Sequence, residues 1–292
     1  MKIIVAEHLG MCFGVRDAIA QAESLAAEAP LTILGELVHN PLVRERLRAQ
    51  GVREHSLNGA NNETTTRVMI TAHGASDRKR AEWSTAGFAV SDGTCPLVRH
   101  AHTQLRLLVD AGYFPVVIGQ AGHVEVLGLI GDFPEAHVIN ESENIARLPL
   151  HSRYAIIAQT TQPIDRVRKL VAEIRRARPR SEVRFVDTVC KPTKDRQRAL
   201  LALITQTQLV LVVGGKQSNN TRQLVETCLG AGRRVVHIER PEELRGAWFD
   251  ECKIVGVTAG TSTLPETVVA VVERLGEISR LAPNETNTTN NS

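Results

Sequence analysis

Three cysteines stand where chemistry could be done. Cys95 follows the apolar run Phe88-Ala89-Val90 and the turn Asp92-Gly93-Thr94, and a helix-like run from Leu97 to Ala111 comes after it. Cys190 follows Val183 to Phe185 and Asp187-Thr188-Val189, ahead of a helix-like run from Lys191 to Leu203. Cys12 follows Lys2 to Ala6 and Gly10-Met11, with a helix start from Phe13 onward. The junctions lie 83 and 95 residues apart. A residue between a strand end and a helix start lies at the sheet edge where open α/β folds bind ligands. Three matched junctions point to three similar units, each presenting one thiol to a common centre. Three soft thiolates suit an iron–sulfur cluster or zinc. No fourth protein ligand is evident, which fits a catalytic site with an open position rather than a closed structural one. On a four-iron cubane, three cysteines leave one iron for substrate. Buried cysteine otherwise acts as a small hydrophobe, and Cys228 and Cys252 take that reading.

Histidines form the second set. His39, His73 and His123 each follow a strand-like run beside Gly or Asn. Three imidazoles with backbone N–H groups at helix starts suit a phosphate or diphosphate. Ser218, Asn220 and Ser262 would add neutral donors, although Ser218 and Ser262 could equally be helix caps. The remaining histidines are read as structural hydrogen-bonders. Glu125 lies two residues after His123 and could deliver a proton, or could be a surface residue favoured by the helix dipole. Spacing alone does not choose. Gly214-Gly215-Lys216-Gln217-Ser218 resembles a P-loop but fails it, because Val210 stands where the first Gly is needed and Gln217 follows the Lys.

Strands must alternate with helices to place these groups. Apolar runs at Lys2–Ala6, Leu31–Leu34, Arg67–Thr71, Phe88–Val90, Phe114–Ile118, Tyr154–Ala158, Val183–Phe185, Leu209–Val213 and Lys253–Val257 read as strands. Helical patterns separate them, with Asn40-Pro41 and Ser76 as helix starts. The alternation argues for parallel sheets and βαβ units. Residues 56–66 read as a polar surface loop, and the tail from Asn284 as disordered. The chain has 292 residues, enough for about two domains or one large body of several lobes. Only ten residues are aromatic, so the core is mostly aliphatic. A net charge of +3 is too small to argue for nucleic acid. No apolar run spans a bilayer, and the N-terminus is too soon interrupted for a signal peptide. A cytoplasmic protein with reduced thiols is expected, and five widely spaced cysteines do not suggest a disulfide framework.

In combination these motifs resemble the 4-hydroxy-3-methylbut-2-enyl diphosphate reductase family, the IspH/LytB enzymes of the non-mevalonate isoprenoid pathway. The resemblance runs from Lys2 to about Leu275. It rests on Gly10-Met11-Cys12-Phe13-Gly14-Val15, Val38-His39-Asn40, Ala72-His73-Gly74, Thr94-Cys95-Pro96-Leu97-Val98, Gly122-His123-Val124-Glu125-Val126, Gln159-Thr160-Thr161, Cys190 with Arg196-Gln197, Lys216-Gln217-Ser218-Asn219-Asn220 and Val257-Thr258-Ala259-Gly260-Thr261-Ser262. It implies an α/β fold of three similar lobes with mainly parallel sheets, pseudo-threefold around a central iron–sulfur cluster. The lobes would be 13–94, 95–187 and 188–280, with strand 1–12 packing on the third and 281–292 a disordered tail. Cys12, Cys95 and Cys190 would hold one 4Fe-4S cluster per chain. His39, His73, His123, Ser218, Asn219, Asn220 and Ser262 would hold the diphosphate, Asn219 replacing a frequent Ser. Thr160 and Glu125 would contact the substrate hydroxyl, and Glu125 would feed protons. The implied reaction is a two-electron reductive dehydroxylation to isopentenyl and dimethylallyl diphosphates, with the open iron taking the hydroxyl and a reduced ferredoxin or flavodoxin as donor. No nucleic acid or membrane partner is implied. Val124, Leu127-Gly128-Leu129 and Lys191-Pro192 depart from the family pattern, which bears on substrate tolerance and product ratio. The rival readings are an iron–sulfur sensor or carrier, a zinc hydrolase, and a paralogue with another substrate.

Overall fold

The computed structural model describes residues 1–59 and 65–281. Part of the 56–66 loop and the tail from residue 282 therefore lie outside the described residues. Three parallel-sheet α/β lobes carry the fold, each with a four-stranded sheet. The first sheet contains β2 (Leu31–Leu34), β3 (Arg53–His55), β4 (Arg67–Ile70) and β5 (Ala89–Asp92), in the order β3-β2-β4-β5. The second contains β6 (Phe114–Ile118), β7 (His137–Ile139), β8 (Arg153–Ala158) and β9 (Glu182–Phe185), in the order β7-β6-β8-β9. The third contains β10 (Leu209–Val213), β11 (Arg234–Ile238) and β12 (Ile254–Ala259). Its fourth position is filled by β1 (Lys2–Val5), which pairs in parallel with β12 from Lys2↔Ile254 to Val5↔Val257. Every lobe thus repeats one strand order, second-first-third-fourth.

The central strands explain why these sequences form sheets. Leu31–Leu34 and Leu209–Val213 are buried at every position, as expected of parallel strands covered on both faces. β-Branched side chains dominate β10 and suit the pleat. Of the strands β3, β7 and β11, the first is short and polar, the second only three residues long, and the third interrupted by His237, so their sequence pattern does not announce them. Each contains a histidine, and those of β7 and β11 are tied to backbone carbonyls, His137 to Asn144 and His237 to Gly214 at 2.8 Å.

Helices α1 (Phe13–Glu28), α2 (Pro41–Ala49), α3 (Asp77–Thr85), α4 (Pro96–Asp110), α5 (Val124–Ile130), α6 (Ile164–Ala177), α7 (Lys191–Gln206), α8 (Asn219–Gly230) and α9 (Pro265–Leu281) connect the strands. Helix α6 buries Val167, Leu170, Val171 and Ile174 and turns its arginines outward. The chain divides into two compact units, residues 12–194, which hold the first two sheets, and residues 1–11 with 195–292, which include the third. Among the described residues, no helix is long and apolar enough to cross a membrane.

Candidate functional site

The repeated topology places every candidate residue after the carboxyl end of a strand, on the loop or in the first turn of the helix that follows. The cysteines follow fourth strands: Cys12 after β1, Cys95 after β5 and Cys190 after β9. Each stands directly before a helix, at α1, α4 and α7. Cys12 and Cys95 occupy N-cap positions, and the Cys95 sulfur faces the first-turn N–H groups of Leu97 and Val98, which favour its thiolate. His39, His123 and Ser218 follow first strands. His73, Thr160 and Ser262 follow third strands.

In the 12–194 unit the three histidines cluster. The rings of His39 and His73 are 4.5 Å apart, and each is 5.6 Å from His123. His39 Nδ1 is 3.0 Å from Glu36, which also accepts from Arg44 at 2.8 Å. The Nδ1 of His123 accepts the Glu125 N–H at 3.1 Å, so that ring caps α5 and has only Nε2 left to donate. Burial drives His73 well below the ordinary imidazole value, and His39 and His123 add to the effect. Its Nδ1 is buried without a hydrogen-bond partner. An orphaned buried nitrogen in an imidazole cluster is a group still able to bond a ligand.

Glu125 is no surface residue. It is 2% exposed, and its carboxylate accepts the Thr160 N–H and, at 3.0 Å, the Thr160 hydroxyl. Burial raises its pKa to about 7, although the two Thr160 hydrogen bonds oppose the shift. Its carboxyl therefore keeps its proton up to near neutral pH. Its charge is felt at Cys95 and Cys190, and both of those thiols also feel Cys12. The three thiols and the acid thus converge within one unit.

The donor set fits a polynuclear cluster: three soft thiols stand at three separate helix starts, and the thiolates of a cubane each hold a different iron. Burial pushes the Cys190 thiol up to about 11 and raises Cys95, so a bound cation must supply the charge that makes them thiolates. Gly14 makes room for the second sulfur: a Cβ there would overlap Cys95 Sγ.

The other unit carries the neutral donors. Ser218 caps α8 by accepting the Thr221 N–H at 3.4 Å, so its capping role is realised. Ser262 lies ahead of the α9 start at Pro265 and is not at its cap position. Asn219 and Asn220 open α8, and both are buried. Asn220 accepts the Thr261 N–H at 3.0 Å, while its Nδ2 is buried without a partner, as is Thr221 Oγ1. Cys228 and Cys252 sit in the apolar cores of this unit, as small hydrophobes do.

Sequence reasoning missed Glu36, whose only signal was a carboxylate three residues before His39. It also missed Asp92 and Asp187. Burial works against ionisation of Asp92, but Thr94, Arg80 and Arg99 outweigh it and hold the carboxyl below its usual value.

Fold and site together define a class: three parallel-sheet α/β lobes that collect thiols, imidazoles and a buried acid at strand ends. The sequence profile of the family described as "LytB protein" matches residues 3–276, and the chain belongs to that family. The 4-hydroxy-3-methylbut-2-enyl diphosphate reductase of Pelobacter propionicus is 35% identical over 285 residues, 96% of this chain and 99% of its own length. The enzyme of the same name from Aquifex aeolicus is 35% identical over 284 residues, 95% of this chain and 97% of its own. The solved structure of the Plasmodium falciparum E-1-hydroxy-2-methyl-but-2-enyl-4-diphosphate reductase superposes with a TM-score of 0.87 over 93% of this chain and 87% of that one, at 24% identity, a likeness of fold. A solved (E)-4-hydroxy-3-methyl-but-2-enyl diphosphate reductase, titled the terminal enzyme of the non-mevalonate pathway, is 33% identical with a TM-score of 0.67, over 95% of this chain and all of that one.

Proposed function

We propose that this chain is a 4-hydroxy-3-methylbut-2-enyl diphosphate reductase, converting its substrate to isopentenyl and dimethylallyl diphosphates in the last step of the non-mevalonate pathway. The observation that carries the reading is the convergence, in one unit, of three helix-start thiols, a three-histidine cluster and a buried acid. Cys12, Cys95 and Cys190 would hold one 4Fe-4S cluster per chain, which when bound would relay the donor's two electrons one at a time and offer an iron as Lewis acid to the substrate hydroxyl. His39, His73 and His123 hold the diphosphate, and Ser218, Asn219, Asn220 and Ser262 are assigned to the same task. What supports this is the orphaned His73 Nδ1 and Asn220 Nδ2. Fixing the anionic end orients the allyl unit and makes the reacting oxygen's position repeatable. Glu125 keeps its proton near neutral pH, and Thr160 fixes the carboxyl by two hydrogen bonds. From there Glu125 delivers the proton that lets the hydroxyl leave as water.

A zinc hydrolase built on the same thiols would be told apart by an iron assay and a visible absorption spectrum of the purified protein. A sensor or carrier has no use for the histidines and Glu125. The proposed lobe boundaries are 13–94, 95–187 and 188–280 with 1–12 joined to the third. What supports them is that the internal boundaries fall at the Cys95 and Cys190 loops and that β1 pairs with β12. The proposed setting is the cytoplasm, with a reduced ferredoxin or flavodoxin as donor. The test is anaerobic turnover of 4-hydroxy-3-methylbut-2-enyl diphosphate by iron–sulfur-reconstituted protein, followed by oxidation of a reduced viologen. Oxidation that is lost in Glu125→Gln supports the reading. A full cluster spectrum with no oxidation would sink the substrate assignment.

A further inference from the structure

Two of the three cysteine loops carry the same fastening. Asp92 stands three residues before Cys95, and Asp187 three before Cys190. In both, Oδ1 accepts the backbone N–H of the residue directly before the cysteine, Thr94 at 2.9 Å and Val189 at 3.2 Å. In both, Oδ2 meets a cation four residues after the cysteine, Arg99 at 3.3 Å and Lys194 at 2.8 Å. The N–H of that same cationic residue closes the first helical turn on the cysteine carbonyl, at 2.9 and 3.1 Å. The cysteine's own N–H is held by a carbonyl after the neighbouring third strand, Ala72 at 3.1 Å and Thr160 at 3.0 Å. The loop is therefore tied at both ends around the thiol.

Cys12 has the helical part but no aspartate clamp: its loop is held two residues earlier, where the Gly10 N–H reaches the Ala259 carbonyl at 3.1 Å and the Gly10 carbonyl accepts from Arg196 Nε at 3.0 Å. The Arg16 N–H reaches the Cys12 carbonyl at 3.0 Å. Three residues before Cys12 stands Leu9, which offers no carboxylate. The Arg16 guanidinium turns to its neighbour Asp17 at 3.4 Å, and both side chains are mostly exposed.

We propose that Asp92–Arg99 and Asp187–Lys194 are positioning pairs that fix Cys95 and Cys190 as cluster ligands, and that Cys12 is the ligand that lets go first when the cluster is lost. This rests on the reading that the three cysteines hold an iron–sulfur cluster. A half-exposed ion pair contributes little to global stability. Its effect is local: it removes conformations from a short loop whose backbone hydrogen bonds it completes. The consequence must then be selective for one cysteine at a time, which general destabilisation would not be.

The test challenges the anaerobic holoenzyme with an iron chelator in the presence of a thiol-alkylating reagent and maps the labelled cysteines by mass spectrometry. Cys12 should be labelled ahead of Cys95 and Cys190. Accessibility alone could rank Cys12 first, so the variants decide. Asp187→Asn should speed labelling of Cys190 about fivefold and leave Cys95 unchanged, and Asp92→Asn the converse, each with a melting temperature lowered by no more than about 2–4 °C. Lys194→Met and Arg99→Met should repeat the two patterns from the other side of each pair. Labelling of Cys95 or Cys190 ahead of Cys12 in the unaltered protein overturns the proposal, as do variants whose three cysteines respond together. A purified protein without iron or thiolate-to-iron absorption overturns the cluster reading itself, and this inference with it.

Discussion

Glu125 concentrates the chemistry at the scale of single residues. A carboxyl with a folded pKa of about 7, against an ordinary 4.5, keeps its proton where the unfolded chain has released it. Folding stability therefore falls as pH rises from about 4.5 to 7. In the cluster-free chain, Glu125→Gln should be the more stable protein above pH 7, by on the order of 3 kcal/mol, and should match the unaltered chain below about pH 4.5. Urea midpoints across that range measure it, and equal midpoints at pH 8 would contradict the burial argument. The same substitution should lower turnover by at least about a hundredfold, the usual worth of a placed general acid, with the cluster spectrum intact. Spacing put Glu125 beside His123, but burial is what removes the surface reading, because only the fold brings Thr160 within reach, 35 residues away in sequence. The Asp92 and Asp187 pairs were equally hidden: an Asp three residues before a Cys and a base four after it become a clamp only when the helix start bends the loop back.

Elements position these residues through short, tight turns. Helix α1 begins so near the second cysteine that position 14 has no room for a side chain. Gly14→Ala must push Cys95 or the helix start aside, at a cost of roughly 1–3 kcal/mol. Iron per chain should fall well below that of the unaltered protein while far-ultraviolet circular dichroism stays the same. Full iron content would show that the close approach is unimportant. The capping of α2 by Asn40, which accepts the Leu42 N–H at 2.9 Å, holds the helix that follows His39. Asn40→Ala should cost about 1 kcal/mol, read from denaturant midpoints. Central strands such as β2, β6 and β10 are legible as apolar runs bounded by turn residues. The edge strand β3 is not, since a strand with one neighbour can be short and polar, as Arg53-Glu54-His55 is, while β7 is too short to stand out and β11 is broken by His237. The helix starts at Asn40-Pro41 and Ser76 were legible because capping is a local interaction.

For the whole molecule, one four-stranded pattern is used three times, and the third copy borrows its last strand from the start of the chain. Removing Met1–Ala6 would expose the edge of β12 and uncover Val255 and Val257. Amide exchange in β10 and β12 should then become fast, and unchanged protection would mean that β1 is dispensable. The repeat explains why chemistry was readable from so little: each copy ends at the same sheet edge, so residues far apart in sequence fall in equivalent loops. The central claim is that thiols, histidines and Glu125 form one reducing site for an allylic diphosphate. Its most direct test is an anaerobic count of electrons against products, with 4-hydroxy-3-methylbut-2-enyl diphosphate, reduced viologen and reconstituted protein. Two electrons consumed for each isopentenyl or dimethylallyl diphosphate formed is the predicted result. Electrons consumed without either product, or no consumption by protein with a complete cluster, would contradict it.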